Sequence, residues 1–148
     1  MMNERRAAPG TQRSTFASLA RAAVEKHVPE SRTGSAHWSF RPNAIAVRWA
    51  LDGAGFAYIG LYRHLDWLSG EAGFSREPHE LADLFPLPGA PAGPVAGYRI
   101  RLGFLLEGED RWWSAGADER ALIERFEWMA LQLRVRGEAY FRRHGEDQ

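Results

Sequence analysis

Two stretches of the 148-residue sequence set acids beside bulky aromatics and a turn glycine. One is HLDWLSGEAG, residues 64 to 73, and the other is EGEDRWW, residues 107 to 113. Carboxylates that meet in pairs can share general acid–base work, one holding a proton while the other is ionised. Asp66, Glu71, Glu107, Glu109 and Asp110 are the candidates. If the strands carrying the two stretches are neighbours, Asp66, Trp67 and Glu71 would meet Asp110, Arg111 and Trp113. That would make a small strand-end pocket with aromatic walls and polar groups. The alternative is structural: Asp110 and Arg111 stabilise a turn and Trp67 packs on the edge of the core. Adjacent residues on a strand point to opposite faces. Of Trp112 and Trp113, one should therefore seal the core and the other should lie at its rim.

A second constellation lies on one face of the expected sheet. Arg48, Phe56, Tyr58, Tyr62, His64, Arg99 and Arg101 alternate with apolar residues along their strands. An antiparallel sheet can leave one face in water. Arg48, Tyr58, Tyr62, Arg99 and Arg101 would then form a platform for an acidic or aromatic partner, or simply pair with one another across strands. On this reading Arg99 and Arg101 are exposed, and replacing both with alanine should move stability by less than about 1 kcal/mol.

Other chemistries find no support. There is no phosphate-binding glycine loop, no dinucleotide fingerprint and no paired-histidine zinc helix. His27, His37, His64, His79 and His144 are scattered, and no nucleophile elbow frames a serine. The chain has no cysteine, hence no disulfide framework and no thiolate site. Nothing calls for a metal or a cofactor. The 19 basic and 19 acidic residues cancel, so no global field draws in nucleic acid or an anionic membrane. No apolar run approaches the roughly 18 residues of a membrane span. The opening MMNERRAAPGTQR has no apolar core and reads as a tail rather than a secretory leader. These features describe a soluble, cytoplasmic protein. Lys26 is the one lysine among the basic residues, which with the many Ala, Gly and Pro suggests a GC-rich bacterial genome.

The elements that must position these residues follow from hydrophobic periodicity. Phe16, Leu19, Ala20, Ala23, Val24 and His27 recur at helical spacing and stop at Pro29. HWSF (37–40), AIAVRWAL (44–51) and FAYIGLYRHL (56–65) read as strands, with DGAG as the hairpin turn between the last two. DWLSGEAGFSREP reads as a loop, HELADLF (79–85) as a short helix, and the Pro/Gly-rich 86–97 as an irregular connection. YRIRLGFLL (98–106) alternates over nine residues and reads as a strand. Asp118 caps a long last helix, whose core stripe is Leu122, Ile123, Phe126, Met129, Ala130 and Leu133. The order α-β-β-β-short α-β-α predicts an α+β fold. An antiparallel sheet of about four strands would carry the N- and C-terminal helices on one face. Residues 12–144 would form a single domain after an 11-residue flexible tail.

A second stripe on the last helix, Trp128, Leu131 and Val135, needs its own cover, from the first helix or from a second copy in a homodimer. Together these features favour a non-catalytic protein-binding or regulatory domain, of the kind that neutralises a partner protein. The alternative is a small-ligand binder or enzyme that uses the strand-end carboxylates and tryptophans. Single-stranded nucleic-acid binding on the Arg/Tyr face fits the neutral charge less well.

Overall fold

A computed structural model describes residues 15–81 and 98–144. The first helix, α1 (Phe16–His27), begins where Thr15 and Ser18 bond reciprocally to each other's backbone in a capping box. A short 3-10 turn, Pro29–Arg32, follows. Four strands come next: β1 (His37–Arg41), β2 (Ala44–Leu51), β3 (Gly55–His64) and β4 (Trp67–Ser75). A short β5 (Arg99–Arg101) runs directly into α2 (Leu102–Glu107). A two-residue β6 (Trp113–Ser114) precedes the long α3 (Glu119–His144). The Asp118 carboxylate accepts from the Ala121 amide, which is the cap its position predicts.

All pairings in the sheet are antiparallel, and the order is β1-β2-β3-β4-β5. The outer edge of β4 is shared: Glu71–Gly73 pair with β5, while Trp67 and Leu68 pair with β6. The fold is thus the expected α+β arrangement, with more strands than the four predicted. β4 occupies WLSGEAGFS, which reads as a loop because Ser69, Gly70, Glu71 and Gly73 are poor strand formers. YRIRLGFLL departs the other way. Its strand ends at Arg101, and Leu102–Glu107 is helical, closed by Gly108 at φ 77°. A short apolar run fits both periods, and here tertiary packing selects the helix. His79 and Glu80 are not helical. Leu81 is buried; the remainder of the HELADLF segment (82–85), the Pro/Gly-rich connection and the N-terminal tail lie outside the described residues.

The main core forms between the sheet and the two long helices. β2 contributes Ile45, Val47 and Trp49, β3 contributes Ile59 and Leu61, and β4 contributes Leu68 and Ala72. Phe16, Ala20, Ala23 and Val24 of α1 join Phe126, Met129, Ala130 and Leu133 of α3. Phe16 and Phe126 meet edge to face at 5.1 Å. α3 comes closest to the sheet over β4. A side chain at Gly70 would collide with Leu133, and one at Gly137 would collide with Ala72.

Leu102, fully buried on α2, tests the helical assignment and the core together. Leu102→Ala should cost about 2–5 kcal/mol, read as a lower urea midpoint at unchanged slope. A negligible change would remove Leu102 from the core.

Candidate functional site

Arg99 and Arg101 alternate on β5 and both point away from the helices, yet neither is open to solvent. The Arg101 side chain is 1% exposed, that of Arg99 11% and that of Glu71 0%. The reason is the register, which sets Arg101 directly opposite Glu71. The Arg99 Nε lies 3.4 Å from Glu71 Oε1, and the Tyr62 hydroxyl donates to Glu71 Oε2 at 2.9 Å. Arg101 Nη1 donates to Asp110 Oδ2 at 2.7 Å. Asp110 arrives from the loop after α2. That loop sits tight because Gly103 has no side chain to strike the backbone of Glu109 and Arg111. The Trp112 ring packs 5.6 Å from that of Tyr62, and the Arg101 guanidinium lies 5.8 Å from the Trp112 ring.

This arrangement answers the question of the paired tryptophans. Trp113 is buried in the helix-side core, edge to face with Trp128 at 5.3 Å. Trp112 turns to the other face and packs over the ionic group.

Glu71, Arg99, Arg101 and Asp110 form a buried quartet with no net charge when all four are ionised. Burial pushes the Glu71 carboxyl up from the ordinary 4.5 to about 7. Arg99, the Tyr62 hydrogen bond and Arg101 offset only part of that, and Asp110 adds to it. Tyr62 is raised well above the usual tyrosine value, first by burial and then by Glu71, so its hydroxyl keeps its proton and remains the donor. Two acids and two arginines share one desolvated space, and Glu71 Oε1, Arg99 Nη1, Arg101 Nη2 and Asp110 Oδ1 are buried there without a hydrogen bond among the described residues.

Much of the rest of this face is covered too, with Arg48 and Phe56 half-buried and His64 exposed at the strand end. Tyr58 shares its hydroxyl with Ser75 at 2.6 Å and accepts from the His79 amide at 2.8 Å. The Tyr98 ring lies 5.2 Å from that of Tyr58 and stacks on His79 at 3.9 Å. Arg48 donates to the His79 carbonyl and lies over Phe56. The expected open Arg/Tyr platform is therefore corrected: Arg48, Tyr58, Tyr62, Arg99 and Arg101 share the face, but the chain itself roofs it. The small stability cost expected for Arg99 and Arg101 is revised with it, because these guanidiniums are paired in a desolvated space.

The strand-end residues separate. Glu71 and Asp110 do come together, on either side of the arginines. Asp66 lies in the exposed β3–β4 turn, 3.5 Å from Arg63, and Trp67 is half exposed beside it. Arg111 pairs with Glu107 at the surface, while Trp113 belongs to the core. β4 and β6 are neighbours, as the pocket required. But Trp67 pairs with Ser114 and Leu68 with Trp113, which puts the two tryptophans on opposite faces.

The helix side holds a space that sequence reasoning missed. A cleft of about 400 Å³ opens between the C-terminal half of α3 and strands β2, β3 and β4. Trp49, Phe74 and Phe141 supply aromatic walls, and Ile59, Leu51 and Leu133 are aliphatic neighbours. Three small residues line it: Ala57 on β3, half-buried, and Ala72 on β4 with Gly137 on α3, which lie against each other. Ala57, on a strand face otherwise filled by Ile59 and Leu61, was the available signal. Glu30, Arg134, Glu138 and Arg142 stand around the cleft.

The second stripe of α3 divides. Trp128 packs within the chain on Trp113, whereas Leu131 and Val135 are 40% and 55% exposed. Among the described residues no His, Asp and Glu cluster could hold a metal ion, and no helix is long and apolar enough to cross a membrane. No protein-family profile matches the sequence, and no characterised protein or solved structure matches the chain.

The quartet makes stability depend on pH in a stated direction. Between pH 4.5 and about 7 the folded protein keeps the Glu71 proton that the unfolded chain has released. Stability therefore falls as pH rises through that window, by roughly 3 kcal/mol at about 1.4 kcal/mol per pH unit, and this group adds nothing further above it. Glu127, held low first by the Lys26 hydrogen bond, titrates on the acid side of the window. Glu71→Gln should flatten the fall in urea midpoint between pH 5 and 7.5. Arg101→Ala should cost about 3–5 kcal/mol by stranding Asp110. An unchanged pH profile in Glu71→Gln would mean that its carboxyl is not buried with the arginines.

Proposed function

We propose that this protein is a binding protein for a small, largely apolar ligand, and that the ligand occupies the cleft between α3 and the sheet. One observation carries the reading: a hollow of about 400 Å³ with aromatic walls and polar groups around it. That size falls within the range of about 300–1,000 Å³ common for small-molecule sites, and such sites are mainly apolar with a few placed polar groups. The hollow is built into the fold. Ala57 occupies a position on the core face of the sheet where a larger side chain would fill the space, and Gly137 lets α3 settle directly on Ala72 of β4.

The opposite face supports the same assignment. Its charges neutralise one another and its aromatics are covered, so the residues richest in chemistry hold the scaffold. A rigid scaffold behind a hollow lowers the ordering cost of binding.

Filling the cleft tests the reading. Ala57→Phe should leave the helical circular-dichroism signal in place and weaken binding of a bound apolar dye by about tenfold or more, as expected when the occupied space is lost. Undiminished dye binding in a folded Ala57→Phe protein would place the ligand elsewhere.

A protein-binding role, with a second copy of the chain as the partner, has Leu131 and Val135 in its favour. They sit one turn apart on the outer side of α3, and isologous pairing is the commonest symmetry of small homo-oligomers. On that reading Leu131→Glu converts a dimer into a folded monomer by light scattering. A native chain already monomeric at high concentration would end it.

A further inference from the structure

The cleft has a charge pattern as well as a shape. Resting on the reading of the cleft as the ligand site, we infer that its ligand is an uncharged, flat, apolar molecule of the aromatic or fused-ring class. The charged groups around the cleft are already matched in pairs of opposite sign. Arg134 donates to Glu30 at 3.0 Å and to the His27 carbonyl at 3.2 Å. Arg142 lies 3.6 Å from Glu138. Two arginines and two glutamates leave the mouth with no net charge, so a ligand charge of either sign meets as much repulsion as attraction. Deeper in, the lining is carbon: Ala57, Ile59 and Ala72 on the strands, with Leu133 on the helix. An ionised group carried inward would lose its water with nothing there to replace it.

The walls favour a ring over a flexible chain. Trp49 from β2, Phe74 from β4 and Phe141 from α3 come from three different elements and line the same space. Phe74 and Phe141 lie 6.2 Å apart with their planes 37° from parallel. Aromatic faces on separate supports receive a planar guest by stacking, and a ring has few internal rotations to lose on binding. Ala57, half-buried on β3, leaves room for an edge to reach the sheet.

Arg142 is the group that could defeat this assignment. It is 71% exposed and its pairing with Glu138 is loose, so an acidic ligand could recruit it. Two dyes with one ring skeleton separate the cases. N-phenyl-1-naphthylamine is neutral, and 1-anilinonaphthalene-8-sulfonate is the same skeleton with a sulfonate. Each is titrated into the full-length protein, into Ala57→Phe, into Ala54→Phe at the exposed turn beside the cleft, and into Arg142→Gln. We expect saturable binding of the neutral dye at about one per chain, at least about tenfold tighter than the sulfonate, because a desolvated charge has no counter-ion inside. One or both filling variants should weaken it, and Arg142→Gln should leave both affinities within about twofold, since an exposed rim charge contributes little. If the sulfonate binds as tightly as the neutral dye and loses about tenfold in Arg142→Gln, the ligand is anionic and the assignment of class is overturned while the cleft remains the site. If neither dye responds to either filling variant in folded protein, the cleft is not the site and the premise itself fails.

Discussion

The carboxyl of Glu71 imposes the constraint to which much of this molecule responds. It sits fully buried on β4, the strand that pairs on one side with β3 and on the other with both β5 and β6. Desolvating a carboxylate costs several kcal/mol unless opposite charge and hydrogen bonds replace the water. The strand pairings supply part of this: Arg101 across from it, Arg99 at 3.4 Å and one hydrogen bond, from the Tyr62 hydroxyl at 2.9 Å. Arg101, buried in turn, requires Asp110, and Asp110 requires the tight loop that Gly103 permits. Each demand recruits the next element, from β3 to β5 to the α2–β6 loop. A buried ion group of this kind adds little net stability over an apolar core of equal volume. Its physical value is register. A slip of one residue between β4 and β5 would put Ile100 opposite Glu71 and leave the carboxylate with the Tyr62 hydroxyl but no arginine.

The next residue on the same strand, Ala72, faces the helices. Its methyl group lies where Gly137 brings α3 against the sheet, and it also lines the cleft. β4 therefore divides two environments one residue apart. On one side charges and aromatics are closed by the chain itself, and on the other small side chains leave a space. The ordinary expectation is that arginines and tyrosines on a sheet face bind and that alanines on a core face pack. Here the residues richest in chemistry brace the sheet, and the plainest ones shape the cleft.

Much of the scaffold was legible in the sequence. β2 and β3 follow strict alternation, α1 and α3 follow helical spacing, and Asp118 stands at the cap of α3. β4 was not legible, because half of its positions, Ser69, Glu71, Gly73 and Ser75, face a polar buried environment, and period-two reasoning expects apolar residues where a strand is buried. Arg99 and Arg101 were placed on the correct face but given to solvent, since a buried arginine occurs mainly where a partner waits; Glu71 lies 28 residues before Arg99, and Asp110, only nine residues after Arg101, reaches it by a turn through α2 that the strand reading of 98–106 did not contain. The hollow was invisible for a different reason. A missing volume is a property of facing surfaces, and Ala57, Ala72 and Gly137 belong to three elements whose contact only the fold reveals.

The central claim, that the ligand enters on the helix side of β4 and the ionic side serves as its brace, is tested most directly by mapping where an apolar ring compound perturbs the backbone. Amide chemical shifts of uniformly ¹⁵N-labelled protein, followed during titration with N-phenyl-1-naphthylamine, give that map. The account predicts saturating shifts at Ala57, Ala72, Phe74, Gly137 and Phe141, with Asp110, Arg111 and Trp112 nearly still. Shifts concentrated at Tyr62, Asp110 and Trp112, with the α3 and β3 positions unmoved, would contradict it and return the binding site to the charged face.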